Sequence, residues 1–200
     1  MLRSSSLVLL VFTILIASCI TEKGFQGEIG ELGPYSWNLL DGGQFTIEYL
    51  SKSRATVLIT MDPECPMCAN YSKVINDLEL VYREDSVSFY GIFTTDFYSE
   101  QEIRGFALKY NVDIPFILDP TNRLAQFLDA KVTPEVFVFD RNSELVYQGL
   151  IDDWAIALGK KRKKANVHYL TDALDAVRNG RSPEIGYTKA VGCIIEYDIE

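Results

Sequence analysis

The 200-residue chain reads as an α/β protein: a central mixed sheet with helices on both faces, ending in an antiparallel hairpin. Three observations predict this. Short β-forming runs alternate with stretches of helical apolar spacing through most of the chain. Two of those runs, Val57-Leu58-Ile59 and Val136-Phe137-Val138-Phe139, are continuously apolar, as central strands covered on both sides are. Arg141-Asn142-Ser143 separates two further strand-like runs and predicts a tight turn at the sheet edge.

The elements follow in order. Arg3, an apolar run from Leu7 to Ile16 and then Ala17-Ser18-Cys19 have the layout of a secretory signal over residues 1–18. The run is about ten residues, where a helix needs about twenty to cross a bilayer. Residues 19–34 are rich in glycine and lack periodicity, so they are expected to form a tether. The remaining domain, residues 35–200, opens with a strand near Trp37–Leu40, a turn at Asp41-Gly42-Gly43 and a short element over Phe45–Leu50. Strand Thr56–Thr60 leads into helix Pro66–Arg83, whose Tyr71, Val74, Ile75, Leu78, Val81 and Tyr82 share i, i+3, i+4, i+7 spacing. Strand Val87–Thr94 leads into helix Ser99–Tyr110, with Ile103, Phe106, Ala107 and Tyr110 on one face. Strand Phe116–Leu118, a short helix over Thr121–Leu128 and the hairpin Glu135–Asp140 with Leu145–Gly149 come next. A last helix, His168–Asn179, buries Leu170, Ala173, Leu174 and Val177 and stops at Gly180.

Charge narrows the function. With residues 1–18 removed, 18 basic side chains face 28 acidic ones, a net charge of −10. So acidic a chain is a poor partner for nucleic acid and is repelled by anionic lipid, so no nucleic-acid partner is expected. Lys160-Lys161-Arg162-Lys163-Lys164 is the exception, expected to be a solvated loop before the last helix, though such a run can also attract an anionic surface.

The chemistry is expected at Cys65-Pro66-Met67-Cys68. A C-x-x-C after a strand places its first sulfur at a helix start, beside unpaired N–H groups and the positive end of the dipole, which favour a thiolate. Pro66 fits the first helical turn, where its missing N–H costs nothing. Cys68 shares a face with Tyr71, Ile75 and Leu78 and is expected to be buried, with Cys65 the exposed attacking sulfur. Such a pair can form and open a disulfide.

These residues, with Val132-Thr133-Pro134-Glu135-Val136-Phe137 and the hairpin after it, resemble the thioredoxin-like superfamily and its redoxin, or AhpC/TSA, branch over Trp37–Cys193. The resemblance implies a thioredoxin-like fold, a cis Thr133–Pro134 bond facing the cysteines, and Cys65, Cys68, Thr133 and Pro134 as the catalytic set. Tyr147-Gln148-Gly149, Asp152-Asp153 and Thr188-Lys189-Ala190-Val191-Gly192-Cys193 also resemble a subgroup of redoxin-domain proteins. Ile16-Ala17-Ser18-Cys19 resembles the bacterial lipobox, which implies a lipid on Cys19 and a place on the extracytoplasmic, periplasmic side of a membrane. Acyl chains anchor through about 0.8 kcal/mol per buried CH₂.

The expected function is a membrane-tethered thiol–disulfide oxidoreductase with a protein thiol or disulfide as client, an upstream redox partner and no cofactor. Two alternatives use the same sulfurs. A peroxiredoxin-like antioxidant would need a Thr or Ser three residues before Cys65, where this chain has Asp62, an anion without a proton to donate. A Cu(I)-binding chaperone would use Cys65, Cys68 and His168, although such proteins usually space their cysteines one residue wider. Zinc would need about four ligands, and no metal is expected. Cys193 is either an additional redox thiol or a small apolar core residue.

Overall fold

The computed structural model describes residues 33–94 and 96–197. Cys19, the expected signal over residues 1–18 and nearly all of the expected tether over residues 19–34 lie outside the described residues.

A five-stranded sheet forms the centre. Its strands are β3 (Ala55–Met61), β4 (Val87–Phe93), β5 (Phe116–Leu118), β7 (Val136–Asp140) and β8 (Leu145–Gly149), in spatial order β5-β4-β3-β7-β8. β3, β4 and β5 are parallel, while β7 and β8 are antiparallel additions, so the sheet is mixed. Period-two alternation sends Val57, Ile59, Val136 and Val138 into one core and Leu58, Phe137 and Phe139 into the other. All seven side chains are fully buried, which is why both strands read as unbroken apolar runs.

Helices α1 (Pro66–Tyr82), α2 (Glu100–Tyr110) and α4 (Tyr169–Arg178) pack with the first core through Ile75, Phe106 and Leu174. Burying Leu170 and Leu174 of α4 contributes about 1.5–3 kcal/mol each. The second core is covered by the short helix α3 (Arg123–Phe127), a 3-10 turn at Ile47–Ser51 and the hairpin of β1 (Ser36–Asn38) and β2 (Gln44–Thr46). α2 starts on a capping box in which Ser99 and Glu102 satisfy each other's backbone N–H.

In its secondary structure and helix packing the fold departs from the sequence reading at Val81, at Lys160-Lys161 and at residues 132–133 with 193–194. Val81 is 62% exposed, because the buried stripe of α1 runs through Tyr71, Ile75 and Tyr82 and leaves Val81 on the outer face. Lys160 and Lys161 are strand β10 (Lys160–Lys161), paired antiparallel with β9 (Ala155–Ala157), rather than loop. They remain exposed, so the solvated expectation holds for their side chains. A two-stranded sheet of β6 (Val132–Thr133) and β11 (Cys193–Ile194) has no counterpart in the sequence reading.

Candidate redox site

The site is built where β3 ends, α1 begins and the loop before β7 returns. Cys65 is the N-cap of α1, with φ −74° and ψ 113°, and Pro66 is in the first turn. One helical turn on, Cys68 points into the core and is fully buried. Its thiol is pushed up to about 12, first by burial and further by the Asp62 charge, while the Asp62 backbone N–H and the Thr133 hydroxyl act the other way. Cys68 is therefore a neutral thiol at neutral pH.

The Thr133–Pro134 peptide bond is cis, the geometry that the resemblance implied. Thr60 holds this loop in place. Its Oγ1 donates to the Val132 carbonyl (2.7 Å) and accepts from the Glu135 N–H (2.9 Å), and its own N–H donates to the Glu135 carbonyl (3.0 Å). Glu135, itself buried, accepts from the Lys131 N–H and from Gln148 Nε2 through its carboxylate (2.8 and 3.0 Å). Burial raises its pKa above the usual carboxylate range, and these bonds oppose that rise. Thr60 carries no local signal in the sequence of a loop to be braced, and Gln148 enters there only within Tyr147-Gln148-Gly149, with no such role.

Thr133 is the hub. Its carbonyl accepts from Cys65 Sγ at 3.1 Å. Its hydroxyl is buried with no partner of ordinary geometry and lies near enough to Cys68 to favour that thiolate. Its backbone pairs with Cys193 across the β6–β11 ladder. The three cysteines among the described residues are free thiols, and the Cys65 and Cys193 sulfurs lie within bonding reach of each other. Their adjacency has an independent basis, since both cysteines contact the backbone of one residue, Thr133.

Cys65 corrects the expectation of an exposed attacking sulfur: the residue is 2% exposed. The C-terminal segment accounts for this by laying Cys193 beside it. The expected thiolate-favouring helix start is altered as well. Asp62 Oδ1 takes the N–H groups of Glu64 (2.7 Å) and Cys65 (3.0 Å), together with the Tyr98 hydroxyl (3.3 Å). Those amides are not free to stabilise Cys65, and its thiol donates to a carbonyl instead.

The other candidates fall elsewhere. His168 is exposed at the N-cap of α4. Among the described residues no group of three or more His, Cys, Asp or Glu is placed to hold a metal ion. Trp154 stacks edge-on against Tyr71, ring centroids 5.4 Å apart. Tyr71 donates to Asp152 (2.6 Å), and burial and that carboxylate raise its pKa. Beside them a groove of about 310 Å³ is lined by Pro66, Met67, Trp154, Leu158, Lys161 and Cys193.

A helix-start C-x-x-C facing a cis-proline loop on a mixed sheet defines a thioredoxin-like redox protein. The AhpC/TSA family matches residues 34–148, more than half of the chain, and the chain belongs to that family. Family and fold together support a redox function. No curated protein matches the chain. Among solved structures it is similar to an uncharacterised conserved protein of Geobacillus kaustophilus, at 23% identity and TM-score 0.74 over 90% of this chain and 95% of that one. It is also similar to a hypothetical protein of Sinorhizobium meliloti, at 21% identity and TM-score 0.73 over 88% and 95%. A secreted disulfide oxidoreductase of Mycobacterium tuberculosis, homologous to Escherichia coli DsbE, aligns at 16% identity and TM-score 0.52 over 73% and 95%. At these identities the likenesses show the fold.

Proposed function

We propose that this chain is an extracytoplasmic thiol–disulfide oxidoreductase that uses a Cys65–Cys68 couple and is tethered to a membrane by lipid on Cys19. The observation that carries the reading is the placement of both sulfurs against one cis-proline loop residue, Thr133. The secreted, DsbE-homologous likeness supports the compartment, and the Leu7–Cys19 pattern supports the tether.

In the forward direction Cys65, as thiolate, attacks one sulfur of a client disulfide. That S–S bond breaks, a mixed disulfide forms, and the other client sulfur leaves with the electron pair and takes up a proton. Cys68 then loses its proton and attacks Cys65 Sγ, closing the Cys65–Cys68 bond and releasing the second client thiol. Two electrons have passed from protein to client. The Thr133 hydroxyl and the Asp62 amide are the groups that stabilise the Cys68 thiolate in the resolving step.

Membership in an antioxidant family favours peroxide as a second substrate. The Asp62 carboxylate opposes it, because it fills the amides beside Cys65 where a peroxide oxygen would bind. One experiment decides between the readings: insulin reduction, peroxide consumption and Cu(I) retention by the dithiol form, each repeated with Cys65→Ser and Cys68→Ser. Insulin reduction is expected in the wild type, lost in Cys65→Ser and, once Cys193 is also replaced by serine, halted at a mixed disulfide in Cys68→Ser. Tight Cu(I) with untouched insulin overturns the reading. So does peroxide turnover that needs Cys65 and not Cys68. Cys19→Ala is expected to move the protein out of the membrane fraction, and an unchanged distribution overturns the tether.

A further inference from the structure

The C-terminal segment, residues 186–197, is bound along the site by contacts that begin well before Cys193. The Thr188 N–H donates to the Gln148 carbonyl (2.9 Å), and Thr188 Oγ1 meets the Tyr147 hydroxyl (2.8 Å) and the Leu150 N–H (2.9 Å). Gly149 has φ +135°, and a Cβ there would stand 2.1 Å from the Thr188 carbonyl oxygen. At the far end the Ile195 N–H donates to the Lys131 carbonyl (3.0 Å) and the Tyr197 hydroxyl to the Ala130 carbonyl (2.6 Å). Between these anchors, Gly192 lies so close to the loop that a Cβ would come within 2.2 Å of the Thr133 carbonyl oxygen. Only glycine permits that approach. The next residue is Cys193.

The segment thus adds a strand to the backbone edge before the cis-proline, as an extended peptide does when it augments a sheet. It also carries a cysteine to Cys65. A cysteine used only as core filling would be enclosed, whereas Cys193 is partly exposed and lines the open groove beside Trp154. The buried Thr133 hydroxyl lies near the Cys68 sulfur of the same site.

We propose that Cys193 is a third redox thiol, exchanging with the Cys65–Cys68 disulfide while its strap occupies the edge that a client segment would pair with. This rests on the reading of Cys65–Cys68 as a redox couple and extends it. Cys193 gives up its proton and its sulfur attacks Cys65 Sγ. The Cys65–Cys68 bond breaks, the Cys65–Cys193 bond forms, and Cys68 leaves with the electron pair and takes up a proton. One disulfide is exchanged for another, so the step needs no outside oxidant or reductant. Burial keeps the released Cys68 protonated, so the exchange leaves no charge in the core. The oxidised centre then faces the groove through a partly exposed sulfur, where the Cys65–Cys68 form is shut in.

Trypsin separates the two disulfide forms directly. Cys65 and Cys68 leave together on the peptide Ala55–Lys73, and Cys193 leaves on Ala190–Glu200. Full-length protein is equilibrated with oxidised glutathione, alkylated, digested and analysed by mass spectrometry as wild type, Cys68→Ser and Cys68→Ser/Cys193→Ser. The two peptides are expected to emerge joined in part of the wild type and in most of Cys68→Ser, while the double variant carries glutathione on Cys65. Cys193 fully alkylated in both wild type and Cys68→Ser overturns the inference. If that occurs while the wild type reduces insulin, the proposed function stands without it. Joined peptides with no insulin reduction by any form uphold the exchange and overturn the proposed function.

Discussion

Cys68 and Cys193 both neighbour Cys65, but the chain brings them there by different routes. Cys68 arrives by one turn of helix, a local device that needs only the strand, the proline and the apolar stripe of α1. Cys193 arrives by a strap anchored at Gly149, Thr133 and Lys131, all far from it in sequence. The first sulfur is fully buried and its thiol is held protonated, while the second is partly exposed at a groove. On the proposed reading the contrast separates two tasks: a local couple that stores the disulfide, and a tertiary arm that governs who reaches it.

Experiments can break this contrast in order of expected effect. Cys65→Ser removes the sulfur common to both routes and is expected to abolish insulin reduction and every intramolecular disulfide. A persistent Cys68–Cys193 bond in that variant would show that Cys65 is not the shared partner.

Gly192→Val acts on the strap alone. The added side chain must displace the segment from the Thr133 carbonyl, at about 1–3 kcal/mol of stability for overpacking. Cys65 is then expected to alkylate faster in the folded protein, with Cys68 unchanged. Equal rates for Cys65 in variant and wild type would mean that the strap does not cover it.

Thr60→Val acts on the loop that both routes share. It leaves the Val132 carbonyl and the Glu135 N–H without their hydroxyl partner, which costs about 1–3 kcal/mol for buried groups left unsatisfied. Urea unfolding measures the loss, and a change within error would remove Thr60 from the support of the site.

Alkaline pH tests the burial of Cys68. Its thiol is raised from 9.0 to about 12 in the folded state, so between those values the folded protein holds a proton that the unfolded chain has released. The stability from this group is complete below pH 9 and is lost as pH rises toward 12. The reduced protein is therefore expected to weaken across that window, and Cys68→Ala to flatten the slope. Tyrosines with raised pKa values, Tyr71 and Tyr147 among them, add a background slope that Cys68→Ala leaves in place. An identical slope in Cys68→Ala overturns the assignment.

The smallest effect is a control. Ser99→Ala removes the capping box of α2 at about 1 kcal/mol. It should leave the reactivity of all three cysteines as it was, and a change there would mean that the site senses distant stability rather than the strap.

Much of the local unit is legible in the sequence. Val57-Leu58-Ile59 and Val136–Phe139 declare central strands because both faces of each are buried, and C-x-x-C followed by a helical stripe places Cys68 inside. Even there, helical spacing assigns Val81 to the core, because periodicity gives a face and not its width. The misreading of Cys65 as exposed has a different origin. Position at a helix start sets backbone surroundings, but solvent access depends on what the rest of the chain lays over it.

The alternation of apolar runs, by itself, determined the mixed sheet, most of its strands and helices, and the cysteine pair at the start of α1. Residue order could do this because each of those features depends on neighbours within a few positions. Only the tertiary structure decided that Asp62 takes the amides beside Cys65, that Thr60 and Glu135 brace the proline loop, and that Gly192 lets Cys193 reach the site. Those contacts join residues distant in the chain, and their energy depends on angstrom-scale approach that no local pattern encodes.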